Sequence, residues 1–519
     1  MSSAEERATI TRTSPIDRSL LAPIPMDTPD DVTRKVEASR RAQQVWAAQP
    51  FSDRVAALQR AANALLRDRE RIIDLARAEM GKLEVDAMFT EALGPLDAVN
   101  NWAKVVRPHA EPERFRLNPL SFPRKEAHMQ LVPRGVVGVI APWNFPAAGL
   151  YRSVIPALLL GNGVVVKPSE LTPESSAWFV EHIAAELPPD LVSVTLGDGR
   201  VGEALTDAGV DAVNFTGSVE TGRRVAVRCA ERGIPVSVEM GGKDAAIVLA
   251  DANLPRTVAG ITHWALQNGG QACGAIEVVF VERSVADALV ERLERAFSML
   301  RLDGAGAGVD VPPLANEAQL ERVERHVREA VEAGEKLRAG GERFGRGLGF
   351  QPTLLDDCTP EMAVVREETF GPVLPIVRVG SAFEAVQRAN ELDYGLTASV
   401  WTADLDRGGR LAERLDVGVV TLNNHALTGA MPELAWSGTR NTGTGIANSR
   451  WALTTFARPK TLLVDRNPAP EPFWLPFDDD LLELGHRLAE AQVKKLARAY
   501  RIPLLIRRRI EQVRSFFEM

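Results

Sequence analysis

Between Gly135 and Glu239 the chain alternates short Val-rich runs with amphipathic stretches, and this alternation narrows the possible folds to those built on a parallel sheet. Val136–Ile140, Val164–Lys167, Leu191–Leu196, Ala212–Phe215 and Val236–Glu239 are apolar runs of strand length, separated by helical stretches near 147–160, 172–186, 201–208 and 219–232. Strands joined through helices run parallel and are covered on both faces. A second series follows the turn at Gly241 and Gly242: strand 245–249, helix 254–267, strand 278–282 and helix 284–299. It resumes beyond a Gly-rich loop region (304–308 and 340–349) with strand 373–378, helix 382–391, strand 397–401, helix 404–414 and strand 417–422. With 519 residues the chain exceeds what one core holds, so two α/β bodies are expected.

The flanking segments read differently. Residues 1–30 are polar and Pro-containing and are expected to form a loosely held arm. From Asp31 to about Asn101 the texture is Ala-rich and helical, and Phe115–Val132, interrupted by Pro119 and Pro123, reads as an extended hairpin. Asn467–Asp480 looks like a linker. Beyond it, residues 485–519 carry nine Lys/Arg against three Glu, a net of +6. Ile506, Ile510, Val513 and Phe517 share one helical face there, which Pro503 should break upstream.

Charge and composition exclude several classes. A net charge of −8 argues against a general nucleic-acid binder. Three cysteines, Cys229, Cys273 and Cys358, do not make a disulfide framework and suit a reducing compartment. The first thirty residues hold no apolar signal core, and no run of 18 apolar residues occurs, so a cytoplasmic protein without a transmembrane helix is expected. No metal site is expected.

Three short segments carry chemistry. Cys273 follows Asn268-Gly-Gly-Gln-Ala, a small-residue loop that can present a sulfur to a pocket; the bland alternative is a small buried hydrophobe. Cys229 and Cys358 lack such surroundings. Glu239 ends a strand, where open α/β sheets bind ligands, and could act as a general base; equally, it could be paired with Lys243. Asn144, within Pro142-Trp-Asn-Phe-Pro146, offers an amide donor for an oxyanion between apolar walls from Trp143 and Phe145. A thiolate, an oxyanion donor and a base for water together meet the needs of one chemistry.

The motifs PWNFP, KPSE, FTGS, EMGGK, GQAC and EETFGPV, in this order, resemble the aldehyde dehydrogenase superfamily from about residue 30 to 465. The resemblance implies NAD(P)-dependent oxidation of an aldehyde to its acid, with Cys273 as nucleophile, Glu239 as base and Asn144 as oxyanion amide. It implies a thiohemiacetal and then a thioester that water hydrolyses. Retention of the family base favours water over coenzyme A as acyl acceptor. A coenzyme-A-acylating semialdehyde dehydrogenase and a non-enzymatic protein on the same scaffold are the alternatives.

For the cofactor, the resemblance implies contacts from Trp143, from Lys167 and Glu170 to the adenosine ribose, and from Gly217, Ser218 and Gly222 around the pyrophosphate. The start of a helix offers free N–H groups for such an anion. Glu368 and Phe370 resemble the pair that positions the nicotinamide ribose and ring. A carboxylate at Glu170 favours NAD over NADP, with Lys167 still able to tolerate the 2′-phosphate. The implied architecture is a Rossmann-like cofactor domain (31–114 and 133–240), a catalytic domain (241–455) and a small β oligomerisation element (115–132 and 456–466), followed by an extension over 467–519. A homodimer or homotetramer is implied. The extension's basic helix is expected to pack on a partner subunit or on the protein's own surface, peripheral membrane contact being the alternative.

The chain departs from the family pattern in places. Val278 stands where a basic residue is usual, and Ala435, Ser437 and Ile446 replace the commoner Pro, Gly and Arg. Val278 bears on local packing or on the entrance, and the other three bear on substrate-pocket shape and interface details more than on the core chemistry.

Overall fold

The Val-rich runs pair in parallel. In the computed structural model, which describes residues 7–119, 121–302, 308–493 and 502–517, they form a five-stranded sheet. Its order is Val192–Val194, Gly163–Lys167, Val136–Ile140, Ala212–Thr216 and Val236–Glu239, with every pairing parallel. The chain leaves the central strand Val136–Ile140 toward one edge and later returns to its other side. A crevice therefore opens beyond the carboxyl ends of Val136–Ile140 and Ala212–Thr216, the usual ligand position in such sheets. Helices Ala148–Leu159, Pro173–Ala185, Gly199–Asp207 and Val219–Glu231 occupy the expected intervals.

The second series forms a seven-stranded sheet. From edge to edge it runs Lys336–Ala339, Thr353–Asp356, Val373–Val379, Ile276–Glu282, Asp244–Val248, Thr397–Trp401 and Val419–Leu422. Only Lys336–Ala339 is antiparallel to its neighbour. The helix Glu317–Glu332 and the strands Lys336–Ala339 and Thr353–Asp356 lie in stretches where no element is expected from the sequence. Residues 340–349 do contain a turn, closed by pairing of Arg343–Phe344 with Gly349–Phe350; 304–307 lie outside the described residues.

The loosely held arm is corrected for residues 7–30. Thr9–Ile10 pairs with Ile24–Pro25, and Ile10, Ile24 and Met26 are buried with Val32, Val36 and Val136. Arg12, also buried, pairs with Glu79 and, at 2.9 Å, with Glu174. A guanidinium so enclosed is retained only with such partners.

A second compact unit comprises residues 111–130 and 459–519. Strand Glu113–Phe115 pairs antiparallel with Lys125–Pro133, giving the expected hairpin, and Ala457–Asp465 completes a three-stranded sheet. The segment after Asp465 stays irregular until helix Asp479–Val493. Pro503 sits in the first turn of the last helix, Ile502–Phe517, where no N–H is needed; the residues directly upstream of that helix lie outside the described residues. The buried stripe of that helix is Leu505, Arg509 and Val513, rather than the all-apolar face read from the sequence. Arg509 is fully buried because it donates to the carbonyls of Pro472, Trp474 and Pro476 and to Asp478 at 2.6 Å. Residues 494–501 and 518–519 of the basic tail lie outside the described residues. Among the described residues no helix is long and apolar enough to cross a membrane.

Candidate active site

Cys273, Glu239 and Asn144 line one cavity of ≈1180 Å³ at the ends of the five-stranded sheet's central strands. Each arrives from a different element. Glu239 is the last residue of Val236–Glu239, Asn144 lies in the turn after Val136–Ile140, and Cys273 precedes Ile276–Glu282.

The loop before Cys273 explains its glycines. Asn268, Gly269 and Gly270 all have left-handed backbone, with φ of +53°, +68° and +75°. Two successive glycines make this bend inexpensive, and a Cβ at Gly270 would collide with the carbonyl of Gly371. The bend turns the Gln271 carbonyl onto the Asn144 side chain, whose Nδ2 donates to it at 3.0 Å. An amide nitrogen carries two hydrogens, so this contact orients the group and leaves its second N–H for another acceptor. The Asn144 backbone carbonyl is held in turn by Lys82 Nζ at 3.0 Å and Asn268 Nδ2 at 3.1 Å, which fixes the turn that carries the side chain.

Electrostatics separate the roles. Burial pushes the half-buried Cys273 thiol up to about 12, with Arg152 opposing the shift and Glu239 adding to it. Burial likewise raises Glu239 above the ordinary carboxylate range, again opposed by Arg152. The carboxylate thus becomes a better proton acceptor at neutral pH. It is not the partner of Lys243, whose ammonium lies 2.8 Å from Glu277. Cys229 and Cys358 are buried core thiols, as expected.

Arg152 is a site residue that sequence reading missed. It lines the cavity, lies over the Trp436 ring with its guanidinium carbon 5.5 Å from the centroid, and acts on both Cys273 and Glu239. Its Nε and Nη2 are buried without a hydrogen-bond partner. A lone Arg in a helix gives no local signal of this position.

The residues expected to hold a dinucleotide mostly border the same cavity. Lys167 and Glu170 lie at its wall 3.3 Å apart, and burial lowers the Lys167 pKa. Gly217 and Ser218 also line it; Ser218 caps helix Val219–Glu231 by accepting from the Thr221 N–H. Gly222 does not: it is buried against Met240 and Phe215, so its role here is close packing of the helix. Trp143 and Phe370 meet edge-on with centroids 5.5 Å apart, and Glu368 accepts from the Gly242 N–H at 3.0 Å. Burial, then repulsion from Glu277, brings Glu368 up to about 7. A cation, a hydroxyl at a helix start, carboxylates for sugar hydroxyls and two aromatic walls around one cavity suit a nicotinamide dinucleotide.

The departures are also placed. Val278 is fully buried in the core behind the sheet, so it fills space there and does not shape an entrance. Trp436–Ser437 pairs with Ile446–Ala447, and Trp436 and Ala447 face the cavity.

Comparison with known proteins is consistent across the chain. Residues 2–462 match the model of the "Aldehyde dehydrogenase family". The chain is 35% identical to a 4,4'-diapolycopene aldehyde oxidase of Methylomonas sp over 471 residues, covering 90% of this chain and 88% of the relative. An NAD-dependent aldehyde dehydrogenase from Sinorhizobium meliloti superimposes with a TM-score of 0.84 at 31% identity, covering 89% of this chain and 93% of that one. An NADP-dependent glyceraldehyde-3-phosphate dehydrogenase from Bacillus halodurans, complexed with NADP, gives 0.81 at 33%, with 90% and 97% covered.

Proposed function

The chain belongs to the aldehyde dehydrogenase family and oxidises an aldehyde to its acid, and from that premise we propose that the reaction runs through a thioester on Cys273. The observation that carries this reading is the convergence of Cys273, Glu239 and Asn144 on one cavity. Cys273 Sγ first gives up its proton to water in the cavity and attacks the aldehyde carbon as the thiolate, and the carbonyl oxygen takes up the negative charge. The free N–H of Asn144 stabilises that oxyanion, helped by the Cys273 backbone N–H. A bound nicotinamide dinucleotide supplies the acceptor for the hydride that leaves this carbon, and a thioester remains on the sulfur. Glu239 then takes a proton from water, the water oxygen bonds to the acyl carbon, and the C–S bond breaks to release the acid. Cys273→Ala is expected to abolish NADH production while retaining nucleotide binding; substantial turnover in that variant would remove Cys273 from the mechanism.

Lys167 and Glu170 are the residues to hold the adenosine ribose, Ser218 with the helix start at Val219 the pyrophosphate, and Glu368 the second ribose. Trp143 and Phe370 border the ring. NAD is the preferred cofactor in this reading, because a carboxylate at Glu170 accepts from ribose hydroxyls and repels a 2′-phosphate.

Residues 31–114 with 133–240 form the cofactor domain and 241–455 the catalytic domain. The strands of 115–132 and 456–466 make the oligomerisation element of a homodimer or homotetramer, a role supported by the exposed Leu462 and Leu463. Light scattering showing only monomer would count against it. The buried stripe of Ile502–Phe517, with Arg509 held by Pro472, Trp474, Pro476 and Asp478, supports an extension folded on itself rather than a helix free to lie on a membrane, and absence of liposome co-sedimentation is the expected check. Three free thiols support a cytoplasmic location, which cell fractionation tests.

A further inference from the structure

Phe370 has φ of +53°, a left-handed backbone that is strained for an aromatic residue. Neighbouring groups must therefore enforce it, and they do so from two sides. Glu277, on strand Ile276–Glu282 and almost fully buried, accepts the Phe370 N–H on Oε1 at 2.8 Å. Its Oε2 accepts the Thr369 N–H at 2.8 Å. From the opposite side Gln319 Nε2 donates to the carbonyls of Thr369 and Phe370, at 2.6 and 2.8 Å. The peptide that carries the Phe370 ring is thus gripped by its N–H and by its carbonyls.

Lys243 completes the clamp. Its ammonium offsets the buried Glu277 charge at 2.8 Å and donates to Thr369 Oγ1 at 3.2 Å. That hydroxyl also contacts His326 Nδ1 at 3.0 Å. Lys243 follows the turn whose Gly242 N–H donates to Glu368, and a Cβ at Gly241 would collide with the Glu368 carboxylate. Neither Lys243 nor Glu277 borders the cavity, yet between them they fix the segment that presents Glu368 and Phe370 to it.

We propose that Glu277 is a positioning residue for the hydride step, holding Phe370 in its left-handed backbone so that the ring edges onto Trp143 and confines the nicotinamide. The proposal rests on the reading of Phe370 as a wall of the dinucleotide site. A buried Lys–Glu pair could serve stability alone, so the test must separate the two roles.

Two reactions of the same protein do so. Hydrolysis of p-nitrophenyl acetate without nucleotide uses Cys273, Asn144 and Glu239 but needs no ring against Phe370. Glu277→Gln is expected to lower NAD-dependent aldehyde oxidation by about 10- to 100-fold, the scale of a small misplacement of reacting groups. The KM for NAD should rise, while ester hydrolysis stays within about twofold. Unchanged oxidation, or an equal loss of both reactions, overturns the proposal. Gln319→Met releases the carbonyl side and should give the same split; equal losses there also count against it. In a Phe370→Gly background, where left-handed backbone carries no strain, Glu277→Gln should add little further loss. Fully additive losses overturn the proposal. The underlying reading is checked separately by NADH titration of Phe370→Gly through nucleotide fluorescence. Unweakened binding there refutes Phe370 as a wall of the site, whatever Glu277→Gln does.

Discussion

The Lys243 ammonium lies 2.8 Å from the Glu277 carboxylate, with both side chains withdrawn from water. The cation nearest to Glu239 in the sequence is therefore committed elsewhere. Of the two readings open for Glu239, a strand-end ion pair with Lys243 or a base, the pairing supports the second. Burial raises its pKa, and the charge opposing that shift is the more distant Arg152.

If Glu239 activates water in the second half of the reaction, Glu239→Gln should still form the thioester. Rapid mixing with aldehyde and NAD is expected to show one equivalent of NADH in a burst, followed by steady turnover about 10²- to 10⁴-fold slower. Loss of the burst together with turnover would move Glu239 to the first step.

Arg152 holds down the pKa of both Glu239 and Cys273 against burial. Glu239 works as a base only when deprotonated, so its raised pKa sets an acid limb above the ordinary carboxylate range. Arg152→Met removes the opposing charge, which moves that limb to higher pH and slows Cys273 alkylation by iodoacetamide at a fixed pH. A kcat–pH profile and an alkylation profile that coincide with the parent's would dismiss this role.

Much of this arrangement is legible in the sequence because it is local. Val164, Val165 and Val166 announce a strand buried on both faces, and Glu239 and Asn144 follow such runs directly. Helix Glu317–Glu332 carries a signal too, with Leu320, Val323, Val327 and Ala330 at helical spacing behind the cap Asn316; the adjoining glycine stretches divert attention from it. Glu277 gives no local sign of its role, since the N–H groups it accepts lie 92 and 93 positions away. Arg12 is similar: its buried place depends on Glu79 and Glu174, and neither is near it in the chain.

Glu170 should discriminate between the two nucleotides. It is about half exposed beside Lys167, so solvent screens its field and the effect is modest. Glu170→Gln is expected to raise the NADP to NAD ratio of kcat/KM by about tenfold, because repulsion of a 2′-phosphate is lost while the hydrogen-bonding amide stays. A parent enzyme that already prefers NADP would remove the basis for this assignment.

Lys82 links stability to the oxyanion amide. It is fully buried, pairs with Glu91 at 3.2 Å and Asp86 at 3.4 Å, and packs over the Phe145 ring. Glu91 spends its other oxygen on the N–H groups of Ala147 and Ala148, at the start of the helix that follows Asn144. Lys82→Met would leave that carboxylate buried beside an apolar group, a change that typically costs about 3–5 kcal/mol. Urea unfolding should report a loss of that order. The same substitution removes a donor from the Asn144 backbone carbonyl, so the turn that carries the side-chain amide loses one of the contacts that hold it in place. Under native conditions kcat should therefore fall while the KM for NAD stays near the parent value, since Lys82 does not border the cavity. Asn144→Ala removes the oxyanion donor itself and should cost about 10²- to 10³-fold in kcat. In that background Lys82→Met should lower stability as before but reduce kcat little further. Equal proportional loss of kcat in both backgrounds would mean that Lys82 supports the fold without aiming the amide.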